Sequence, residues 1–196
     1  MVLTSMKIST HYPLMGMLLS LVVTLSACSF YANVDSLGPT IAEINKMPIT
    51  EASALIADQT IMTFQGPQTT CPSGYFMGTT YIPNCYTQPG HGTQIEYFSP
   101  KGIAFLWYPG NSRSVPSIWK LETGSSSHRI CFQYPSSSRN AITGTNGGAW
   151  ECVALGYWAK DIVEKRTGDI FSLSTGRLPS QLSRQSTTFD ALLKVH

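Results

Sequence analysis

The residues of this chain best suited to chemistry are five cysteines and four histidines. A cysteine becomes a reactive nucleophile when a nearby base such as histidine takes its proton. His128 and Cys131 lie closest together along the sequence, three positions apart. On a β-strand, residues three positions apart point to opposite faces, so His128 is poorly placed to activate Cys131. We therefore predict that Cys131 is structural.

Other catalytic motifs are missing from the sequence. No serine stands in the G-x-S-x-G pattern that presents a hydrolase nucleophile, and no CxxC pair suggests a metal site. His91 lies between two glycines, which is typical of an exposed turn residue, although a binding role stays open. We expect four strand glutamates to point into solvent: Glu96, Glu122, Glu151 and Glu164. The prediction is a protein that is not an enzyme, with no catalytic residues, no cofactor and no metal.

The N-terminus has the three parts of a secretory leader. Lys7 and His11 make its start weakly basic, and residues 14–27 are uncharged and mostly apolar. A membrane-spanning helix needs about 20 apolar residues, so this segment is too short for one. It ends in Leu25-Ser26-Ala27-Cys28, in which small residues precede the thiol.

This tetrapeptide resembles the lipobox of bacterial envelope lipoproteins. The resemblance implies cleavage before Cys28, a diacylglyceryl group on its sulfur and usually a third acyl chain on the new amine. Two or more acyl chains hold a protein durably on a membrane. Ser29, where an aspartate favours inner-membrane retention, suggests the outer membrane, with the protein facing the periplasm. Ordinary signal cleavage and an uncleaved anchor are the alternatives.

Composition supports an exported β-rich domain. The domain organisation we predict is a signal peptide at 1–27, a lipidated tether at 28–38 and a single β-rich domain at 39–196. Lys and Arg number 13 against 11 Asp and Glu, so the chain lacks the basic excess of a nucleic-acid-binding surface. Charged residues make up 12% and aromatic residues 11%, which favours strands over a helical bundle.

Cysteine usage agrees with an oxidising compartment. If lipid occupies Cys28, four cysteines remain, and four cysteines allow three pairings that sequence alone does not distinguish. We favour Cys71–Cys85 and Cys131–Cys152, because each pair brackets one local unit.

The pattern of apolar residues and turns predicts a mainly β fold. We expect strands at 60–64, 93–98, 103–108, 115–122, 129–134, 149–155, 157–164 and 170–174. Helices are expected after Thr40, which has capping-box spacing to Glu43, after Thr50 and after Thr187. About eight antiparallel strands fit a small barrel or a two-sheet sandwich with short N- and C-terminal helices.

Residues 66–92 are unusual because they form a long connection rich in proline, glycine and aromatic residues. One interpretation is a stapled flap that covers an end of the core, and the other is a binding loop. The candidate binding residues are Tyr75, Phe76, Tyr81, Tyr86 and His91, together with Trp107 on a later strand.

The order of elements resembles small lipocalin-like envelope proteins, some of which inhibit proteases or lysozyme. The residues that carry this resemblance are Trp119-Lys120-Leu121, Ile130-Cys131-Phe132 and Trp150-Glu151-Cys152. The function we favour is a non-enzymatic binding or structural role, including an inhibitor role, toward an envelope protein or peptidoglycan. One alternative is a carrier of a small apolar ligand, with a cavity lined by residues such as Phe105, Trp107 and Trp119. The other is an envelope hydrolase or transpeptidase.

Lipidation of Cys28 has a direct test. Cells that express the full chain and are fed radiolabelled palmitate should label the wild type and leave Cys28→Ser unlabelled. The intact mass of the purified protein should exceed that of the 28–196 polypeptide by the acyl groups. An unmodified Cys28 thiol would contradict the lipobox assignment.

Overall fold

The computed structural model describes residues 37–139 and 146–194. The predicted signal peptide, Cys28 and almost all of the tether lie outside the described residues and remain predictions. In the part that is described, no helix has the length and apolar character needed to cross a membrane.

Nine strands lie in the described part of the chain, and seven of them form one antiparallel sheet. Its strand order is β8-β7-β6-β5-β4-β1-β9, and β2 pairs only with β3 in a separate two-stranded sheet. In chain order the strands are β1 (Gln59–Gln65), β2 (Gln68–Met77), β3 (Thr80–Gln88), β4 (Gly92–Phe98), β5 (Ile103–Trp107), β6 (Val115–Thr123), β7 (His128–Gln133), β8 (Trp150–Ala154) and β9 (Ile162–Thr167).

The large sheet curls into a half-barrel and does not close, which corrects the expectation of a closed barrel. The strands β8 and β9 stand at its two edges, six strand-to-strand pairings apart, and do not pair with each other. The mainly β class and the antiparallel pairing are confirmed. The predicted turn between β4 and β5 is also present, where the Gly102 amide donates to the Ser99 carbonyl at 3.1 Å.

Short helices flank the strands at α1 (Ile41–Ile44), α2 (Ile49–Ala54), α3 (Leu155–Ala159) and α4 (Phe189–Leu193). The predicted capping box is present, because Thr40 Oγ1 accepts from the Glu43 amide at 3.3 Å and Glu43 Oε2 accepts from the Thr40 amide at 2.8 Å. Two predicted caps are wrong by one or two positions. Pro48 precedes α2, so Thr50 falls within the helix, and Thr188 rather than Thr187 caps α4 by accepting from the Ala191 amide at 3.1 Å.

The strand predicted at 157–164 is wrong in its first half, where α3 forms instead. Leu155 and Ala159 are both buried while Tyr157 is exposed, and this four-residue spacing is that of a helix face. The strand predicted at 170–174 is also wrong. The Asp169 carboxylate accepts from the amides of Leu173 and Ser174 at 2.7 and 2.8 Å and bends the chain into a short 3₁₀ helix, Leu173–Thr175.

Both faces of the large sheet carry an apolar core. Alternate side chains of a strand point to opposite faces, and on β1 Ile61 enters the first core while Met62 enters the second. The helices α1, α2 and α3 contribute to the first core, and the chain after β9, including α4, contributes to the second. The strand β5 was predicted to be covered on both sides, and it is the central strand, with Ala104 in the first core and Trp107 in the second.

The first core is built around Phe98, which is fully buried. Its ring centroid lies 5.3 Å from that of Trp119 and 5.6 Å from that of Trp158. We expect Phe98→Ala to lower the free energy of unfolding by about 3–5 kcal/mol, because it removes a buried ring and leaves a cavity. Urea denaturation measures this change.

The matched control is Phe76→Ala, since Phe76 is 72% exposed. This change should alter the free energy of unfolding by no more than about 0.5 kcal/mol. Equal losses for the two variants would contradict the assignment of the core.

Candidate functional site

A cavity of about 290 Å³ lies on the same face of the large sheet as the first core. The core occupies the end of this face near the helices, and the cavity occupies the other end. We call it the sheet cavity, and the residues that line it are Gln94, Leu106, Tyr108, Val115, Phe132, Tyr134, Ser138, Arg139, Asn146, Gly147 and Glu151.

Register explains why strands far apart in sequence contribute to this cavity. Leu106 on β5 pairs with Glu96 on β4, while Phe132 on β7 pairs with Glu151 on β8. Paired residues in adjacent antiparallel strands share a face. The curl of the sheet therefore brings β4 to β8 around one space.

Glu96 is the most unusual side chain at this end of the sheet. It lies on the cavity face between Gln94, which lines the cavity, and Phe98 in the core. Glu96 is buried, and among the described residues its Oε1 has no hydrogen-bond partner. Removal from water raises the pKa of this carboxyl to about 8, because burial disfavours the charged form. Glu96 is therefore mostly protonated at neutral pH, which corrects the expectation that it points into solvent.

Tyr134 adds a further polar group near Glu96, and the Ser117 hydroxyl lies beside Tyr134 in turn. The Tyr134 side chain is partly exposed, but its hydroxyl lies within the protein. Burial raises the pKa of Tyr134, and the charges of Glu96 and Glu151 raise it further, with a small opposing effect from the Ser117 hydroxyl. Ser117 is buried, and in the described ranges its Oγ lacks a hydrogen bond of good geometry. The region near the cavity therefore holds polar groups that protein partners do not satisfy.

Charges of opposite sign stand where the cavity meets solvent. Arg139 and Glu151 both line the cavity and both are exposed. The other lining residues are uncharged, and three of them, Tyr108, Phe132 and Tyr134, are aromatic. The rings of Phe132 and Tyr134 stack with centroids 6.2 Å apart. The site can therefore bind through aromatic faces, hydrogen bonds and charge together.

The aromatic residues predicted in 66–92 lie elsewhere, on the hairpin of β2 and β3. Tyr75, Phe76, Tyr81 and Tyr86 are between 50% and 72% exposed, so they do not cover the core. Phe76 pairs with Tyr81 across the hairpin, with ring centroids 5.3 Å apart. Cys71 and Cys85 form a disulfide that joins its two strands.

Close backbone packing fixes the base of this hairpin. A side chain at Gly90 would collide with the carbonyl of Gln65. Gly92 has φ +76° and a Cβ there would lie 2.8 Å from the Arg184 carbonyl oxygen, so glycine is needed for both conformation and space. His91 stands between them and is partly buried, and burial lowers the pKa of its imidazole.

Trp107 is fully buried in the second core, with its ring centroid 5.5 Å from that of Phe171. It offers no surface to a ligand, so its place among the candidate binding residues needs correction. Trp119 points to the other face of the sheet, into the first core. Trp107, Phe105 and Trp119 therefore do not line one common cavity, contrary to the expectation for an apolar carrier.

The remaining cysteines are used structurally. Cys131 on β7 pairs directly with Cys152 on β8, and the two form a disulfide, so both favoured pairings are those found in the structure. Glu122 approaches these sulfurs, with Cys152 Sγ 3.9 Å from its Oε2. Sulfurs bonded to each other are not the thiolates that metals bind.

His128 is buried, and its Nε2 lies 3.0 Å from the Met47 carbonyl oxygen. This contact joins β7 to the chain that leads into α2.

Sequence reasoning missed Glu96, Ser117 and Tyr134 as a group. The alternation of side chains along β4 could have indicated that Glu96 is buried, since Glu96 points to the same face of the sheet as Phe98.

Comparison of the chain with protein-family models, curated proteins and solved structures finds no match.

The raised pKa of Glu96 predicts how stability depends on pH. Between about pH 5 and pH 8 the folded protein holds a proton on Glu96 that the unfolded chain has lost, because the pKa is about 8 when folded and 4.5 as the ordinary value. The free energy of unfolding should therefore fall as pH rises through this window, by about 1.4 kcal/mol per pH unit from this group. Urea denaturation across this range, compared with Glu96→Gln, isolates the contribution.

Glu151→Gln is the control, because Glu151 is exposed. It should keep the pH slope of the wild type, while Glu96→Gln should flatten it. Parallel pH profiles for the wild type and Glu96→Gln would refute the burial of an ionisable Glu96.

Proposed function

We propose that this chain is a lipid-anchored binding protein of the bacterial envelope, which acts without catalysis and contacts a protein partner through the β2–β3 hairpin. The observation that carries the proposal is a disulfide-linked hairpin whose aromatic side chains are exposed on both strands.

The surface chemistry of the hairpin favours a protein partner. Residues 66–90 contain no charged side chain, and Met77 at the tip is 63% exposed beside the aromatics. Clustered exposed apolar residues are uncommon on monomeric proteins and mark interaction surfaces. Tyrosine, phenylalanine and methionine are enriched in protein interfaces, whose cores are depleted of charge.

The hairpin is also held ready for binding. An isolated two-stranded hairpin is marginally stable in water, and here Cys71–Cys85 and the glycines at the base restrict it. A surface ordered before binding loses less conformational entropy when the partner docks. This supports a binding surface over a flexible connection.

The predicted lipid on Cys28 would set where such a partner is met. Leu37 is the first described residue, and it is buried in the first core. Leu37 follows Cys28 by nine positions, and an extended chain spans at most about 3.6 Å per residue, or roughly 30 Å. The domain would therefore stay close to the membrane, which we take to be the outer membrane facing the periplasm. A peptidoglycan-associated partner fits the same location.

A second candidate function is that of a small-molecule carrier, because the sheet cavity exists. Its volume of about 290 Å³ stands at the lower end of ligand pockets, and its lining mixes aromatic with polar groups. It favours a small polar ligand over an apolar one. The third candidate, a hydrolase or transpeptidase, would need His91 or His128 within hydrogen-bonding reach of a nucleophile or a carboxylate in a cleft. His128 contacts Asn45 and the Met47 carbonyl, and His91 Nδ1 has no hydrogen-bond partner among the described residues.

Crosslinking in intact cells tests the hairpin. We expect the wild-type full chain to capture a reproducible envelope protein, and Phe76→Ser/Tyr81→Ser to reduce capture at least about tenfold, because aromatic anchors carry much of an interface's binding free energy. Tyr157→Ser is the matched control, since Tyr157 is 58% exposed on α3. It should capture as much as the wild type. The absence of a reproducible partner, or equal capture by the hairpin variant, would contradict the proposal.

A further inference from the structure

The sheet cavity is separate from the hairpin, and its chemistry indicates a ligand class of its own. Its size suits a small molecule, since pockets for drug-sized ligands occupy about 300–1,000 Å³. Its lining is neither wholly apolar nor strongly charged, so hydrogen bonding and aromatic contact both contribute to recognition.

Two features of the site favour a ligand that donates hydrogen bonds and carries positive charge. The Oε1 atom of Glu96 is buried and, among the described residues, unpartnered. Buried polar atoms are normally hydrogen-bonded, so atoms without partners point to a missing one. Glu151 adds a second carboxyl group at the cavity wall.

Aromatic rings supply the second feature. Tyr108, Phe132 and Tyr134 line the cavity, and the faces of such rings attract cations. An ammonium group combines this attraction with three hydrogen-bond donors. Glu96 adjoins the cavity, because Gln94, two residues before it on the same face, and Leu106, its cross-strand partner, both line it. The charge of Glu96 also acts on Tyr134, which is a lining residue.

We propose that the sheet cavity binds a small organic molecule with a primary ammonium group, which pairs with the Glu96 carboxylate and lies against the aromatic wall formed by Tyr108, Phe132 and Tyr134. The proposal does not depend on the hairpin or on its partner.

Binding would move one proton. In the empty site Glu96 is mostly protonated at neutral pH. The arriving ammonium stabilises the carboxylate, so Glu96 loses its proton to solvent and the bound state is an ion pair. A buried charge is tolerated when it is paired and hydrogen-bonded. The positive charge of the ligand therefore takes the place of the proton on Glu96.

Other titratable and charged groups near Glu96 also affect how readily it gains or loses its proton. The cavity is surrounded by Tyr134 just after β7, Glu151 on β8, Tyr108 just after β5 and Arg139 after β7. On the far side of β1, Lys165 of β9 pairs with Ile61 on the same face, and its Nζ donates to the Leu37 carbonyl at 3.1 Å. Arg139 is the cation among the described lining residues, and it would favour a ligand carboxylate placed near solvent.

Isothermal titration calorimetry on the full chain in detergent micelles tests the ligand class with three probes of one shape. These are benzylamine, benzyl alcohol and benzoate. We expect benzylamine to bind at least about tenfold more tightly than the other two, since only it replaces the proton of Glu96. Equal or tighter binding of benzyl alcohol or benzoate would overturn the proposal. So would the absence of benzylamine binding up to about 10 mM, a concentration above that of even weak specific binding.

Two further measurements test the role of Glu96. Glu96→Gln should weaken benzylamine binding at least tenfold, while Glu51→Gln, which removes an exposed carboxyl group on α2 that does not line the cavity, should leave the affinity unchanged. Near-ultraviolet circular dichroism confirms that each variant is folded.

The release of the proton from Glu96 on binding can be tested with the wild type alone. In the wild type, the binding enthalpy near pH 7 should vary with the ionisation enthalpy of the buffer, as release of about one proton requires. The affinity for benzylamine should rise about tenfold per pH unit from pH 6 to pH 7 and level off near pH 8. A binding enthalpy independent of buffer, or an affinity independent of pH, would refute the ion pair with Glu96.

Discussion

The large sheet buries apolar side chains on both faces, and the other elements depend on this. On β1, β4 and β5 alternate residues enter different cores, so Ile61, Phe98 and Ala104 pack under the N-terminal helices while Met62, Ile95 and Trp107 pack under the C-terminal segment. Burial of apolar area is the main favourable contribution to folding. The short helices could not stand alone in water, because helices of this length are marginal without packing. They are stable because the sheet offers them an apolar surface.

Among the residues that the structure describes, incomplete coverage of the first face leaves the sheet cavity. The helices α1, α2 and α3 cover the end of this face around Phe98 and Trp119, and the other end holds Gln94, Leu106 and Tyr134 around an open space. Glu96 stands at the boundary between them. A buried carboxyl group without a hydrogen-bond partner lowers stability, and groups of this kind concentrate at functional sites. The arrangement that leaves Glu96 Oε1 without a partner among the described residues is the basis for the cationic ligand that we propose.

The hairpin and the cavity represent two different ways of binding. The hairpin lacks charge, projects its aromatic residues into solvent and is restrained by Cys71–Cys85. The cavity is partly enclosed, and its polar groups respond to pH. The hairpin suits a large apolar surface on another protein, whereas the cavity suits a small ligand whose charge matters. Since the first lies on the separate two-stranded sheet and the second on the large sheet, substitutions in one should leave the other intact.

Local patterns in the sequence determined much of this protein. Alternation identified β4, β5, β6 and β7, the Thr40–Glu43 spacing identified the first cap, and proximity in sequence favoured the two cysteine pairs. Each of these features depends on residues that are neighbours along the chain. Tertiary structure alone decided that β8 and β9 stay apart, that α3 replaces the start of a strand, and that Glu96 is buried. These outcomes depend on long-range pairing, chiefly the position of β1 between β4 and β9, and on which elements cover each end of the sheet. A one-dimensional pattern shows which side chains share a face, but burial depends on what packs against that face in three dimensions.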